Sequence, residues 1–539
     1  MNFEIIWNAL NYISEEMGIA LKNTAYSPNI RDRQDHSCAI LSPDGYLIAQ
    51  AEHIPVHIGS MAIGLKNTLE YLDRNNMDIN EGDIIIVNNP YIAGTHLNDV
   101  TLIKPVYYGR RLIGYIANKA HHTDIGGKVP GSIGGDIRDL HDEGIVINPD
   151  YIVKDGEPNE GLIRDIMKKV RTPEYFKGDL MAQIAAIKIG EKRLHNLIER
   201  VGVEGLLKSY DKSLEYVERY IVNRIRERLM SGTYKAEDYL EGYDVDLTIK
   251  VSIEVDEEQI KIDYTGTSWE VDNPLNAVYG VTVSATTYAL KTILDPDLPF
   301  NHGLYNVLGI YAPYKTILNP SYPHPVSAGN LETSQRIVDT IYRALAEASN
   351  YIPAAACGSM NNIMLGSKDW AFYETIGGGY GGRNGLDGVD GVHTNMTNTL
   401  NTPIEIMEKE YPIEFIEYSL RVDSCGYGRY RGGLGITRAF KLLSRATLTI
   451  VASRTKYNPY GVMGGEPGES GKHYIIRGDK KIDIGPYTTI NLVKGDIVYI
   501  NTPGGGGYGD PDMRNHESIE KDLQEGKVTR EYLKKRGIL

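Results

Sequence analysis

The stretch Asn88–Leu102, NNPYIAGTHLNDVTL, holds a Pro, a Gly, and then His96 and Asp99 three residues apart. It follows the short run GDIIIVNNP (82–90), and a second run, RLIGYIANKAHH (111–122), leads into NKAHHTDIGG with His121, His122 and Asp124. Both runs are short and rich in apolar and β-branched residues, the pattern of buried strands stopped by turn residues. Side chains at strand ends are held by a rigid sheet yet stay accessible, so each strand delivers one half of a His/Asp cluster. Two imidazoles and a carboxylate leave coordination positions open and suit Zn, Mn or Fe better than Ca or Mg. Adjacent strand residues point to opposite faces, so only one of His121 and His122 shares a cavity with His96. The spacing alone leaves open whether these histidines bind a metal or merely cluster near turns.

Outward from this pair the chain reads as α+β. The opening, MNFEIIWNALNYISEEMGIALKN, has apolar residues at helical spacing, and SCAILSPDGYLIAQ (37–50) is a hairpin around Pro43-Asp44-Gly45. HIGSMAIGLKNTLEYLDRNN is helical, as are AQIAAIKIGEKRLHNLIERVG and SLEYVERYIVNRIRERLMSG in the middle. VDLTIKVSIEVDEEQIKIDYTG (245–266) alternates as a hairpin, and the last third is glycine-rich and β-leaning before a short helical tail. The expected division is a metal-bearing region with a helical segment (1–235), a central α+β region (236–410) and a β-rich C-terminal region (411–539).

Composition excludes several classes. The chain has 539 residues, 41 % hydrophobic and 24 % charged, the make-up of an ordinary globular protein. A net charge of −14 argues against nucleic acid or an anionic membrane as partner, since both need a basic face. The three cysteines, Cys38, Cys357 and Cys425, form no CxxC pair, which fits a reducing compartment. The opening lacks the basic start and apolar core of a signal peptide, and no apolar run approaches membrane-span length, so the expected location is cytoplasmic.

A second polar group, RDRQDHSCAI with EHIPVHIGS, contributes Arg31, Asp35, His53 and His57 as candidate substrate-binding residues, or alternatively a hydrogen-bonded surface turn. Pro55 argues against a helical pairing of His53 with His57. The glycine runs at 374–398 and 501–511 match neither a P-loop nor a dinucleotide fingerprint. GGEPGESGKH (464–473) comes nearest, but its glycine spacing is wrong and His473 replaces the required hydroxyl residue. No nucleotide site is expected in this chain, and the glycines read as structural turns. Cys357 and Cys425 sit in small-residue contexts that suggest packing rather than nucleophilic catalysis.

Together, NNPYIAGTHLNDVTLIKPV and NKAHHTDIGGKVPGSIGG resemble the signature of the hydantoinase B family, the beta subunits of ATP-dependent hydantoinases and 5-oxoprolinases, related to the alpha subunit of acetone carboxylase. SPNIRDRQDHSCAI, IPVHIGSM, ETSQRIVDTIYRALAEA and NTPGGGGYGDP extend the resemblance in order over nearly the whole chain. The resemblance implies metal ligation by His96, Asp99 and His122, with His121 and Asp124 as proton-transfer neighbours. It implies a divalent metal (Zn, Mn or Fe) and ATP with Mg in a separate hydantoinase A-type subunit, the two forming an A2B2 assembly. The implied reaction is attack of metal-activated water on a cyclic amide or imide carbonyl that the partner has phosphorylated. The same resemblance admits an acetone carboxylase-like subunit or a scaffold without catalysis. It leaves the ring open among hydantoin, N-methylhydantoin, 5-oxoproline and larger lactams.

Overall fold

Ser42 and Tyr46 close the hairpin that Pro43-Asp44-Gly45 announces, with Gly45 at φ +83°, a conformation that favours glycine. The structure, a computed structural model, describes residues 2–51 and 53–539. The hairpin joins β1 (His36–Leu41) to β2 (Leu47–Ala51). They belong to a seven-stranded sheet with β3 (Ile84–Val87), β4 (Asp99–Tyr108), β5 (Arg111–His121), β6 (Asp150–Lys154) and β7 (Glu157–Pro158). Its order is β2-β1-β5-β4-β3-β6-β7, and every neighbouring pair is antiparallel. The central position of β4 is compatible with Pro105, because β3 pairs only with Thr101–Ile103 and the missing N–H falls beyond that ladder.

The helix Phe3–Thr24 lies over this sheet and turns Trp7, Leu10, Ile13, Met17 and Leu21 inward at spacings of three and four. It packs on the helix Pro173–Val201, where a Cβ at Gly190 would stand 2.3 Å from Met17 Sδ. The helix Val203–Arg228 follows, and the expected hairpin forms as the antiparallel pair Leu247–Val255 and Ile260–Asp263 in a four-stranded sheet. One apolar core runs from Ile6 through Ile253 and Val338 to Val451. A second, around Ile363, Phe440 and Ile500, fills the C-terminal sheets of four and five strands. The chain has the mixed, multi-sheet α+β architecture that its patterning indicates. No helix among the described residues is long and apolar enough to cross a membrane.

The glycine runs do something other than turn the chain. Segments 377–382, 426–433, 461–468 and 504–507 lie backbone against backbone, through hydrogen bonds such as Gly426 N–H to Gly505 O and Gly505 N–H to Gly433 O. A Cβ at Gly505 would stand 2.1 Å from Tyr380 O. The need there is for close approach and not for positive φ, which is why four glycines stand in a row. Gly505→Ala should therefore cost several kcal/mol, roughly 3 or more as for other overpacked interiors. Gly161→Ala, on a helix with only ordinary contact at 3.4 Å, should change stability by about 1 kcal/mol or less. Urea denaturation of both variants checks the contrast.

Candidate metal centre

Asp99 opens β4 and His121 closes β5, and the two are register partners. Cross-strand partners share a face, so their side chains project together. His96 reaches them from the turn before β4, which follows a short helix capped by Gly94 at φ +83°. Asn88 fixes that turn: its Nδ2 donates to Leu97 O and Ile145 O while its Oδ1 accepts from Ile147 N.

The resulting cluster is tight. His96 Nε2 lies 3.1 Å from His121 Nδ1 and 3.3 Å from Asp99 Oδ1, and His121 Nδ1 lies 3.4 Å from the same oxygen. All three residues are at most 2 % exposed. A cation with ligand bonds of ~2.1 Å sets its neighbouring ligands roughly 3.0–3.4 Å apart, so these edges fit. Two imidazole nitrogens facing one carboxylate oxygen also form a convergence of electron pairs that protons or a cation must compensate. These three residues are the one His/Cys/Asp/Glu group found among the described residues with ligand atoms arranged to hold a metal ion.

His57, on a 3-10 turn begun by Pro55, stands with Nε2 3.4 Å from Asp99 Oδ2 and Nδ1 3.0 Å from Ser37 Oγ. Asp35 Oδ2 is 3.9 Å from His121 Nδ1. The His121 ring stacks on Tyr373, centroids 4.5 Å apart and planes at 12°. Two of the four candidate substrate-binding residues thus border the cluster. The other two do not: His53 Nε2 pairs with Glu15 at 3.2 Å, and Arg31, partly exposed, pairs with Asp32 at 2.8 Å.

The structure exchanges the positions expected of the paired histidines. His122 points to the opposite face, where its Nε2 meets Gln183 Oε1 at 2.9 Å and its ring packs by Phe176. Asp124 faces away as well. Its two oxygens accept from the Gly126, Gly131 and Arg171 backbone N–H groups and from Arg171 Nη1, all at 3.0 Å. The cause is the register: with Asp99 opposite His121, the next residue must turn outward.

Electrostatics follow from burial. Burial opposes ionisation of Asp99, but the fields of His96 and His57 outweigh it and hold the carboxyl well below its usual range. Burial would lower His96, yet Asp99 raises it, whereas His121 is lowered by burial. Lys119, two residues before His121, is buried among Ser60 Oγ, Ala93 O and Thr95 Oγ1, and burial lowers it to about 8. Glu143 is pushed up by burial to about 7, although its Oε1 accepts from Val326 N and Ser327 N. The alternation of strand residues was enough to place Lys119 beside His121; no sequence signal singled out Tyr373 or Glu143, which arrive from distant segments.

A family model described as hydantoinase B/oxoprolinase matches residues 1–511. The chain belongs to that family. It is 55 % identical to an uncharacterized protein of Methanocaldococcus jannaschii, over 98 % of this chain and 93 % of that protein. Identity to the 5-oxoprolinase of Dictyostelium discoideum is 36 % over 93 % of this chain but 39 % of that protein, so the chain spans about two fifths of that relative. A protein of Pseudomonas sp. (strain NS671) named as a putative D-/L-hydantoinase B subunit is 32 % identical, covering 98 % and 93 %. Among solved structures, the ATP-dependent caprolactamase of Pseudomonas jessenii superposes with a TM-score of 0.91 at 26 % identity, covering 99 % of this chain and 95 % of that one. An acetone carboxylase chain shares the fold, with a TM-score of 0.91 at 19 % identity over 98 % and 78 %.

Two measurements follow. Elemental analysis should find about one divalent transition metal per chain, lost in His121→Ala and kept in His122→Asn; the reverse pattern would restore the sequence-based ligand set. The pH dependence of stability should reveal Glu143. Its folded pKa of about 7 lies above the ordinary value of 4.5, so its stabilising contribution is full below pH 4.5 and is lost as pH rises through 7. Glu143→Gln should remove a decline on the order of 3 kcal/mol across that window, read by urea denaturation at pH 5 and 8.

Proposed function

We propose that this chain is the metal-bearing subunit of an ATP-dependent cyclic amide or imide hydrolase of the hydantoinase/5-oxoprolinase type. It works in the cytoplasm with a hydantoinase A-type subunit that holds ATP and Mg, in an A2B2 complex. The observation that carries the reading is the buried His96/Asp99/His121 cluster in a chain with this family's fold. The caprolactamase likeness supports lactam ring opening, and the relative named as one subunit of a D-/L-hydantoinase supports a partner. So does the 5-oxoprolinase relative, most of whose length lies outside the match.

The chemistry divides between the two subunits. An unstrained amide carbonyl is a poor electrophile. A phosphoryl group placed on its oxygen by the partner activates the carbon, so that water adds there and the ring C–N bond breaks as the nitrogen takes a proton. Hydrolysis of the remaining acyl phosphate releases phosphate and the ring-opened acid. A divalent Zn, Mn or Fe held by His96, Asp99 and His121 supplies the Lewis acidity that makes water nucleophilic near neutral pH. The residues of this chain do the rest. His57, held by Ser37, orients the Asp99 carboxylate. Asp35, beside His121, is the carboxylate placed to accept a proton. Glu143 Oε2, buried with no hydrogen-bond partner among the described residues, is suited to hold a proton at neutral pH and return it to the ring nitrogen. Burial of the whole cluster excludes bulk water, which would otherwise consume an acyl phosphate-like intermediate.

With ATP and a panel of hydantoins and lactams, the purified chain alone should show no hydrolysis, and adding the A-type subunit should restore it. His96→Ala should lose the metal and lower the reconstituted rate by at least ~100-fold. Robust ATP-dependent turnover by this chain alone would overturn the two-subunit reading.

A further inference from the structure

The hairpin tip Asp44-Gly45-Tyr46 does more than reverse the chain. It forms one rim of a pocket of about 400 Å³, whose other walls come from the helices Ser60–Arg74 and Tyr279–Leu294 and from residues 302–310. That volume falls within the roughly 300–1,000 Å³ of small-molecule sites. The walls are aromatic and aliphatic. The Tyr46 and His302 ring centroids are 4.5 Å apart and those of His302 and Tyr305 5.2 Å, while Ile63, Val283 and Ile310 supply aliphatic surface. Tyr279 Oη donates to Ile310 O at 3.1 Å and fastens its helix to the strand Leu308–Tyr311, so these walls are held in place without an occupant. Gly59, also in the wall, lies two residues past His57, so the pocket and the His96/Asp99/His121 cluster share one turn of chain.

Two residues of opposite charge, Lys66 and Asp44, line this pocket. Neither side chain forms an ion pair or hydrogen bond among the described residues, with the other or with any neighbour. Glu70, one helical turn after Lys66, is taken by Arg74 at 3.3 Å. His302 adds no third charge, because burial pushes its imidazole down to about 4. It offers a neutral aromatic face instead.

We propose that this pocket binds an amino acid with an aromatic or large aliphatic side chain, the side chain among Tyr46, His302 and Ile310 and the charged end toward Lys66 and Asp44. An apolar molecule would leave both charges unanswered. A carboxylic acid would answer only Lys66, and an amine only Asp44. A zwitterion answers both, each through a charge-assisted hydrogen bond. Burial of the side chain supplies most of the affinity, and the two solvent-exposed charges supply the selectivity. The inference does not depend on the proposed reaction.

Isothermal titration calorimetry of the full chain should show saturable binding of L-phenylalanine. Phenethylamine, which lacks the carboxylate, and 3-phenylpropionate, which lacks the ammonium, should each bind at least ~3-fold more weakly. L-alanine, which lacks the ring, should not bind detectably. Lys66→Gln and Asp44→Asn lie at exposed positions and should leave the circular dichroism spectrum unchanged. Each should weaken L-phenylalanine by at least ~3-fold. Lys66→Gln should also erase the preference for L-phenylalanine over phenethylamine, and Asp44→Asn the preference over 3-phenylpropionate. The proposal is overturned if wild type shows no saturable binding of L-phenylalanine or binds the amine or the acid as tightly. Preferences left intact by both charge variants overturn it as well.

Discussion

The His96/Asp99/His121 cluster depends on one hydrogen-bonded register, Asp99 opposite His121 between β4 and β5. A slip by one residue would carry His122 to the face of Asp99 and turn His121 away, because strand side chains alternate with a period of two. Several contacts hold the register where it is. β1 pairs with β5 from the other side, with His36 opposite Ala120, and the His121 and His122 N–H groups donate to Asp35 O and Asn98 O. The asparagines of NNPYIAGTHLND act as backbone staples: Asn98 Nδ2 donates to His122 O, as Asn88 does across the neighbouring turn.

Burying so much charge needs compensation, and the chain supplies it locally. Asp99 stays ionised because His96 and His57 face it, and Arg33, fully buried, lies over the Tyr373 ring that stacks on His121. Farther off, Arg438 pairs with Glu374 at 3.1 Å, and Arg454 bridges Asp238 at 2.8 Å and Asp339 at 2.6 Å. These pairs join segments more than a hundred residues apart in the case of Arg454. Buried pairs add little net stability over apolar packing, but removing one partner costs about 3–5 kcal/mol. They therefore favour one arrangement of the C-terminal sheets against the helix Ser334–Leu345, which carries Asp339. The glycine segments serve the same end by letting backbones approach where side chains would hold them apart.

Much of this was legible in the sequence because it depends on local periodicity. The hairpin at Pro43-Asp44-Gly45, the long helices of the middle and the strands ending in His/Asp segments follow from spacing and turn chemistry alone. The sequence reading expects strands to end at both segments; the structure instead places Asp99 at the start of β4, a strand that reading does not mark, opposite His121 at the end of β5, with His96 in the turn before it. The glycine runs were read as turns because composition reports backbone freedom without saying whether it serves positive φ or close approach. The distances at Gly505 show that it serves close approach.

The sequence by itself determined the class of fold, the kinds of residue at the centre and the family to which the chain belongs. Tertiary structure alone decided that His121 joins His96 and Asp99 while His122 turns to Gln183, and that Asp124 is engaged by Arg171 and two loop amides. It alone brought Tyr373 and Glu143 to the same neighbourhood. The physical reason is that periodicity says residues i and i+1 face opposite ways, whereas only cross-strand pairing says which of the two ways is inward.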